Sequence, residues 1–310
     1  MSFKIIGIGE VLWDLLPAGP QIGGAPANFA YHAHALGARA SVITRVGKDH
    51  FGRDIFDRFK QFGFPSETVQ VDEVAPTGTV TVKLNGDGIP HYTIHESVAW
   101  DHLVVTPLAL AAMREANAIC FGSLAQRHAM TRAAVQRLVA AAPAEAWRVF
   151  DINLRQNFYS LETIEQSLRL ANVLKLNDSE LPILAGLFGL KHSPRQQIEH
   201  LAEGFGLRLV ALTRGPEGSL LYRDGVWSEQ GSQPVEVVDT VGAGDAFTAA
   251  LVMGLLLEMG LDELHAYAAE IARHVCSHAG ATPALTPQLR DRFASFQSRQ
   301  PKHSRPTVAA

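Results

Sequence analysis

Short β-branched runs alternate with stretches whose apolar residues recur at helical spacing through most of this chain. Residues 4–9 read as a buried strand, 27–36 as a helix closed by Gly37, 40–45 as the next strand, and 51–62 as a helix ending at Gly63. Further strands are predicted at 118–121, 148–152, 173–175 and 209–213, with helices between them. Such alternation calls for an α/β fold in which helices cover both faces of a parallel sheet. Two regions break the pattern, 11–23 and 77–97; the second, TGTVTVKLNGDGIPHYTIHES, reads as two strands around a turn at Asn85, Gly86, Asp87 and Gly88. A hairpin alone is marginal, so these strands are expected to form a small separate sheet that covers a cleft as a lid. We read residues 1–297 as one domain carrying that insertion, and 298–310, without periodicity, as a disordered tail.

With 310 residues, 47% of them hydrophobic and 19% charged, the chain can bury a large core. Its formal net charge of -4 lacks the basic excess of a nucleic-acid or membrane-surface protein, so no nucleic acid and no membrane is expected as a partner. The two cysteines, Cys120 and Cys276, lie in apolar segments and offer neither a disulfide framework nor a CxxC metal site. No signal-peptide pattern and no run near ~18 apolar residues occurs, which points to a cytoplasmic protein.

The segment 237–247, VVDTVGAGDAF, is where chemistry enters. A β-branched run breaks into a glycine turn and then opens an apolar helix. Glycine lets the backbone approach a ligand closely, and the first helical amides lack intrahelical acceptors, so the amides of Val241, Gly242, Ala243 and Gly244 can face an anion. A carboxylate in that spot would repel a phosphate unless an alcohol stood between them. Asp245 is therefore a candidate catalytic base, against the plain alternative of a first-turn helix acid. Neither a P-loop nor a Rossmann fingerprint is present. Thr213, Gly215 and Gly218 follow a predicted strand and could meet phosphates or simply turn a hairpin. Asn177 and Glu180 form an NxxE pair that reads either as a helix cap or as holders of a hydrated Mg2+ ion.

Taken together, GGAPAN at 23–28, NxxE at 177–180, TxGxxG at 213–218 and DTVGAGD at 239–245 resemble the motifs of the ribokinase-like, or PfkB, sugar kinases, in order and spacing from about residue 4 to 289. GEVLWDLLP at 9–17, GGAPANFA at 23–30 and DINLR at 151–155 are most similar to bacterial fructokinases. The resemblance implies a three-layer α/β/α fold with a mostly parallel central sheet and a small β-sheet lid. It implies ATP-dependent phosphorylation of a hydroxymethyl group on a small sugar, with fructose leading. Another ketose, a 2-keto-3-deoxy sugar acid, ribose or a nucleoside are the alternative acceptors, and a non-catalytic sensor is the alternative from another class.

Residue by residue, the resemblance makes Asp245 the base and Gly242, Ala243 and Gly244 the anion hole. Asp14, Gly24, Asn28 and Arg155 fall at sugar-binding positions; Asn177 and Glu180 at the Mg2+ and phosphate network; Thr213, Gly215, Gly218, Gly280 and Ala281 on the nucleotide side. A potassium ion is implied beside the loop at Asp239. Phosphoryl transfer needs positioning more than a strong base, so a helix-start aspartate with a dipole-lowered pKa would suffice. An apolar lid face also invites a homodimer. His32 and His34 are expected at the surface or lid edge. His274 and His278 stand four apart without a third zinc ligand, and His91 and His95 lie on the second lid hairpin.

Overall fold

The computed structural model describes residues 2–17, 19–84, 90–231 and 233–299. Thirteen strands follow one another in the chain: β1 (Lys4–Ile8), β2 (Leu12–Leu16), β3 (Gly19–Gly23), β4 (Arg39–Gly47), β5 (Val69–Asp72), β6 (Gly78–Leu84), β7 (Pro90–Ile94), β8 (Ala118–Phe121), β9 (Trp147–Asp151), β10 (Val173–Asn177), β11 (Leu209–Thr213), β12 (Ser219–Arg223) and β13 (Val226–Gln230). Nine of them make one sheet in the order β13-β12-β11-β10-β9-β8-β1-β4-β5, parallel from β11 to β5 and antiparallel at the β12–β13 edge. The other four form a separate sheet, β3-β2-β6-β7.

Period-two alternation divides the large sheet's side chains between two cores. Ile5, Cys120, Val173 and Ala211 point to one face, where they pack with helices α1 (Ala25–Ala35) and α2 (His50–Phe62). Ile6, Ile119, Leu174 and Val210 point to the other, against α3 (Pro107–Arg114), α4 (Ala129–Ala140), α5 (Leu161–Leu170), α6 (Glu180–Phe188) and α7 (Pro194–Phe205). The last three helices, α8 (Ala243–Leu256), α9 (Leu261–Cys276) and α10 (Pro287–Arg299), return to the first face. Residues 246–255 of α8 are buried on every side, because this helix lies between α1 and α9. Three layers result, as the sequence predicts. Among the described residues, no helix is long and apolar enough to cross a membrane.

The small sheet gathers the two regions that break the alternation. It seats on the body through Leu12, Val80, Ile94, Val98, Trp100, Leu124 and Ala125. The turn at 85–88 lies outside the described residues. So do 300–310 of the expected tail, whereas Ser298 and Arg299 belong to α10, so the helix runs two residues past the predicted boundary.

Strand order positions the site. From β1 the chain goes to β4 on one side, while β8 occupies the other, so the order reverses between β1 and β8. Ligands of open α/β sheets bind outside the carboxyl ends of strands at such a reversal. The carboxyl ends of β1, β9, β10 and β11 lead directly to Glu10, Asp151, Asn177 and Thr213.

Candidate active site

Gly242 caps α8 with φ of +78°, and a Cβ there would lie 2.4 Å from the carbonyl oxygen of Ala281. Only glycine fits, on both conformational and steric grounds. The amides of Gly242 and Gly244 have no acceptor among the described residues, while that of Ala243 reaches Thr240 O at 3.3 Å. Two of the four amides expected to face an anion thus have no partner among the described residues, that of Ala243 is weakly engaged, and that of Val241 instead donates to Asp239 Oδ1 at 3.0 Å, because the carboxylate two residues back reaches it first.

Asp245 follows on the first turn, half-buried, and Asn28 Nδ2 donates to its Oδ2 at 2.8 Å across 217 residues of chain. Its pKa is pushed up to about 7 by burial and then by the Asp151 charge, against the opposing pull of Asn28, Lys175 and Arg155. That corrects the expectation of a dipole-lowered value. Loss of water and a like charge outweigh the helix end here.

Of the three other predicted sugar-side residues, Gly24, Asp14 and Arg155, the arginine acts electrostatically on this carboxylate. Gly24 caps α1 with φ of +109°, its missing side chain allowing approach to Glu10 O, which a Cβ would meet at 2.4 Å. Asp14, on β2, is half-buried, and burial raises its pKa to about 6 while Arg155 opposes the rise. Arg155 is exposed, donates to Leu154 O at 3.0 Å, and acts electrostatically on Glu10, Asp14 and Asp245.

Sequence reasoning passed over Glu10. It is 2% exposed, its Oε2 has no partner among the described residues, and burial, with the Asp245 charge adding, lifts its pKa to about 7 against its own amide and Arg155. A charged residue following a buried strand is the signal that could have marked it.

A second missed group lies under the anion turn. Lys175 is buried on β10, donates from Nζ to Asp151 Oδ1 at 3.1 Å, and would sit 3.0 Å from a Cβ on Gly244. Thr248 Oγ1 lies 3.0 Å from Asp151 Oδ2 and 2.9 Å from Gly244 O, sharing its proton between them. Burial disfavours the ammonium, but Asp151, Glu180 and Asp245 outweigh it and hold the lysine above its usual pKa. One positive charge therefore stands beneath the glycine turn at the start of α8. In VLKL, a lone lysine in an apolar strand was its trace.

Glu180 accepts from Leu154 N and Asn177 N, at 2.8 Å each, and burial raises its pKa while Lys175 pulls it down. Asn177 Oδ1 accepts from the amides of Ser179 and Glu180, both at 3.0 Å. The capping role weighed for this pair is present. Among the described residues no three His, Cys, Asp or Glu side chains group to ligate a metal directly. The pair consequently fits an ion held through its own waters, using the lone pairs that the amides leave.

On the nucleotide side, β-register sets Thr213 beside Asn177, and Gly215 (φ +50°) and Gly218 (φ +87°) turn the chain into β12. Among the described residues, no direct hydrogen bond joins this hairpin to Asp245. The Asp239 carboxylate accepts from Val241 N and Gly280 N, both at 3.0 Å, and so ties the anion turn to the loop at Gly280 and Ala281. His32 is fully buried and meets Ala281 O at 2.9 Å, correcting its expected surface position. His34 is half-buried against Ala38 O, 3.2 Å away. His274 meets Ala284 O at 3.0 Å, His278 meets His274 O at 2.8 Å, and His95 meets Thr81 Oγ1 at 2.8 Å, each a local contact. A depression of about 670 Å³ at the amino end of β4, lined by His34, Arg39, Phe56 and Lys60, contains none of the predicted catalytic, sugar-side or nucleotide-side residues.

Free amides at a helix start, a carboxylate of near-neutral pKa beside them, and a small sheet bearing Asp14 define a phosphotransferase acting on an alcohol. Residues 20–288 match the pfkB family of carbohydrate kinases. The chain belongs to that family and is a sugar kinase. A fructokinase of Escherichia coli is 31% identical over 266 residues, covering 82% of this chain and 85% of that protein. A putative sugar kinase of Pyrococcus horikoshii is 30% identical over 277 residues, covering 84% and 85%. The structure of a Xylella fastidiosa fructokinase with bound ATP aligns with a TM-score of 0.82 at 22% identity, covering 96% of this chain and 100% of that one, a likeness of fold.

Proposed function

We propose that this kinase transfers the terminal phosphoryl group of ATP to a hydroxymethyl group of fructose, with Asp245 as base. The carrying observation is the Asp245 carboxylate, bonded to Asn28 at 2.8 Å next to the unpartnered amides of Gly242 and Gly244. An acceptor hydroxyl donating to Asp245 is aimed at a phosphoryl group gripped by those amides. As the oxygen–phosphorus bond forms and the bond to the nucleotide's leaving oxygen breaks, Asp245 takes the hydroxyl proton. A pKa of about 7 keeps a large ionised fraction at neutral pH while making the carboxylate a better proton acceptor than an ordinary aspartate.

Lys175 and the amides offset charge on the transferred group. Asn177 and Glu180 are the residues we assign to a hydrated Mg2+, whose chemistry when bound is neutralisation of phosphate charge. Thr213, Gly215, Gly218, Gly280 and Ala281 would border the nucleotide. The structure of a Vibrio cholerae fructokinase variant contains fructose, ADP and potassium. A potassium site near Asp239 is part of this proposal and is tested by the salt dependence of turnover, as a homodimer through the small sheet is tested by sedimentation.

Glu10, Asp14 and Asp245 are the three carboxyl groups we assign to the acceptor side, with Arg155 opposing the charge of each and Lys175 that of Asp245. That balance supports a neutral sugar over a sugar acid, and the intact base argues against a sensor. A coupled ADP-release assay across fructose, ribose, 2-keto-3-deoxygluconate, tagatose and adenosine decides the matter. Inert fructose beside an active alternative would overturn the acceptor and leave the kinase standing.

A further inference from the structure

Asn28 and His32 are one helical turn apart on α1 and share a face. Asn28 reaches Asp245, and His32 reaches the carbonyl of Ala281. A carbonyl only accepts, so His32 Nε2 carries the proton, leaving Nδ1 as a bare acceptor that is buried and without a partner among the described residues. Burial also lowers the ring's pKa to about 4, so it is neutral near pH 7. The carbonyl it holds is the one packed against Gly242, where a Cβ would come within 2.4 Å. Asp239 fastens the same loop to the anion turn through Val241 N and Gly280 N. The loop is therefore gripped from two directions, and only the His32 grip leads to the helix that carries Gly24 and Asn28.

We propose that His32 is a positioning residue that couples the two halves of the site: its Nε2–H holds the Ala281 carbonyl, and through it Gly242, in register with Asn28 and Asp245. Acceptor binding that fixes the start of α1 then also fixes the nucleotide loop. The motifs single out Asn28 but pass over His32, one turn further along. The inference rests on the kinase reading of this site, with residues 280 and 281 bordering the nucleotide.

Glutamine places an N–H near the Nε2 position, asparagine near Nδ1, and leucine retains apolar bulk without a donor. The test is calorimetric titration of the full chain with a non-hydrolysable ATP analogue and Mg2+, without and with saturating fructose or whichever sugar turns over, together with KM and kcat. Wild type is expected to bind nucleotide more tightly when acceptor is present. His32→Leu is expected to weaken nucleotide binding about three- to tenfold, the worth of one buried hydrogen bond, and to bring the ratio of the two affinities toward one. KM for ATP should rise more than kcat falls, and His32→Gln should restore both ratio and KM. A wild-type ratio of one, a folded His32→Leu with an unchanged ratio, or a folded His32→Gln as impaired as His32→Leu overturns the proposal. Should His32→Leu not fold, His32→Asn against His32→Gln decides, since equal coupling in those two removes the need for a donor at Nε2. If no sugar is phosphorylated, the kinase reading fails, while nucleotide affinity in Leu against Gln still reports the loop tie separately.

Discussion

Replacing Asn28 by leucine tests Asp245 as a base through the position of a pH limb rather than through loss of rate alone. Asn28 is 5% exposed and donates to the Asp245 carboxylate at 2.8 Å, and leucine fills similar space without admitting water. A hydrogen bond to a charged group is worth about 1.5–3 kcal/mol, and about 1.4 kcal/mol moves a pKa by one. That bond favours the ionised form, so removing it raises the Asp245 pKa from about 7 to between about 8 and about 9. The base works only when ionised, so activity climbs with pH through its pKa. At pH 7 the ionised fraction falls from about a half to between about a tenth and a hundredth, a loss of roughly 5- to 50-fold that high pH recovers.

The assay is kcat/KM for the acceptor against pH by coupled ADP release. A drop equal at every pH would report lost sugar contact, whereas an upward displacement of the limb reports the base. Glu10 titrates in the same range, so Glu10→Gln serves as the control and must leave a limb in place. An Asn28→Leu enzyme whose limb stays at the wild-type pH refutes the reasoning.

Asp245→Asn should reduce kcat at least about 10²-fold while nucleotide affinity, measured by titration, changes little. Gly242→Ala would push a methyl into Ala281 at a positive φ, and a loss of about 1–3 kcal/mol in denaturant stability with a raised KM for ATP is expected. Lys175→Met leaves Asp151 buried without its partner, which should cost about 3–5 kcal/mol in urea unfolding; adding Asp151→Leu should recover part of it.

The fold was legible because a parallel sheet covered on both faces forces continuous apolar strands separated by helices, and residues 118–121 or 209–212 display that plainly. The strands of the small sheet were legible for the opposite reason, as hairpin chemistry out of place. The anion turn could be read from Gly242, since glycine is what the approach of Ala281 requires. Pairings between distant segments could not be read: Lys175 finds Asp151 24 residues back, Thr248 reaches Asp151 from 97 residues on, and His32 finds Ala281 249 residues on. No local pattern encodes such contacts. The Asp245 pKa was misjudged because the helix end is a local feature, whereas the dominant influences, burial and Asp151, are products of the assembled site.

The crowding of carboxyl groups explains why the lysine must be where it is. Glu10, Asp151, Glu180 and Asp245 gather at strand ends and helix starts while Asp14 stands on the small sheet, and the raised pKa values of Glu10, Asp14, Glu180 and Asp245 mark charges that burial disfavours. Without a compensating cation, neutralisation by protonation would be the cheaper outcome, and a protonated Asp245 cannot accept a proton from an alcohol. Arg155 is exposed and screened by solvent, whereas Lys175 is buried, paired with Asp151, and lies under Gly244 of the turn we propose to grip the phosphoryl group. In the proposed mechanism this ammonium therefore serves two ends: it favours the ionised form of Asp245 and would present positive charge to the transferred group. Moving that charge to arginine at the same position would preserve its sign, but the planar fork is too large for the space under Gly244. Lys175→Arg should accordingly impair turnover despite conserving charge.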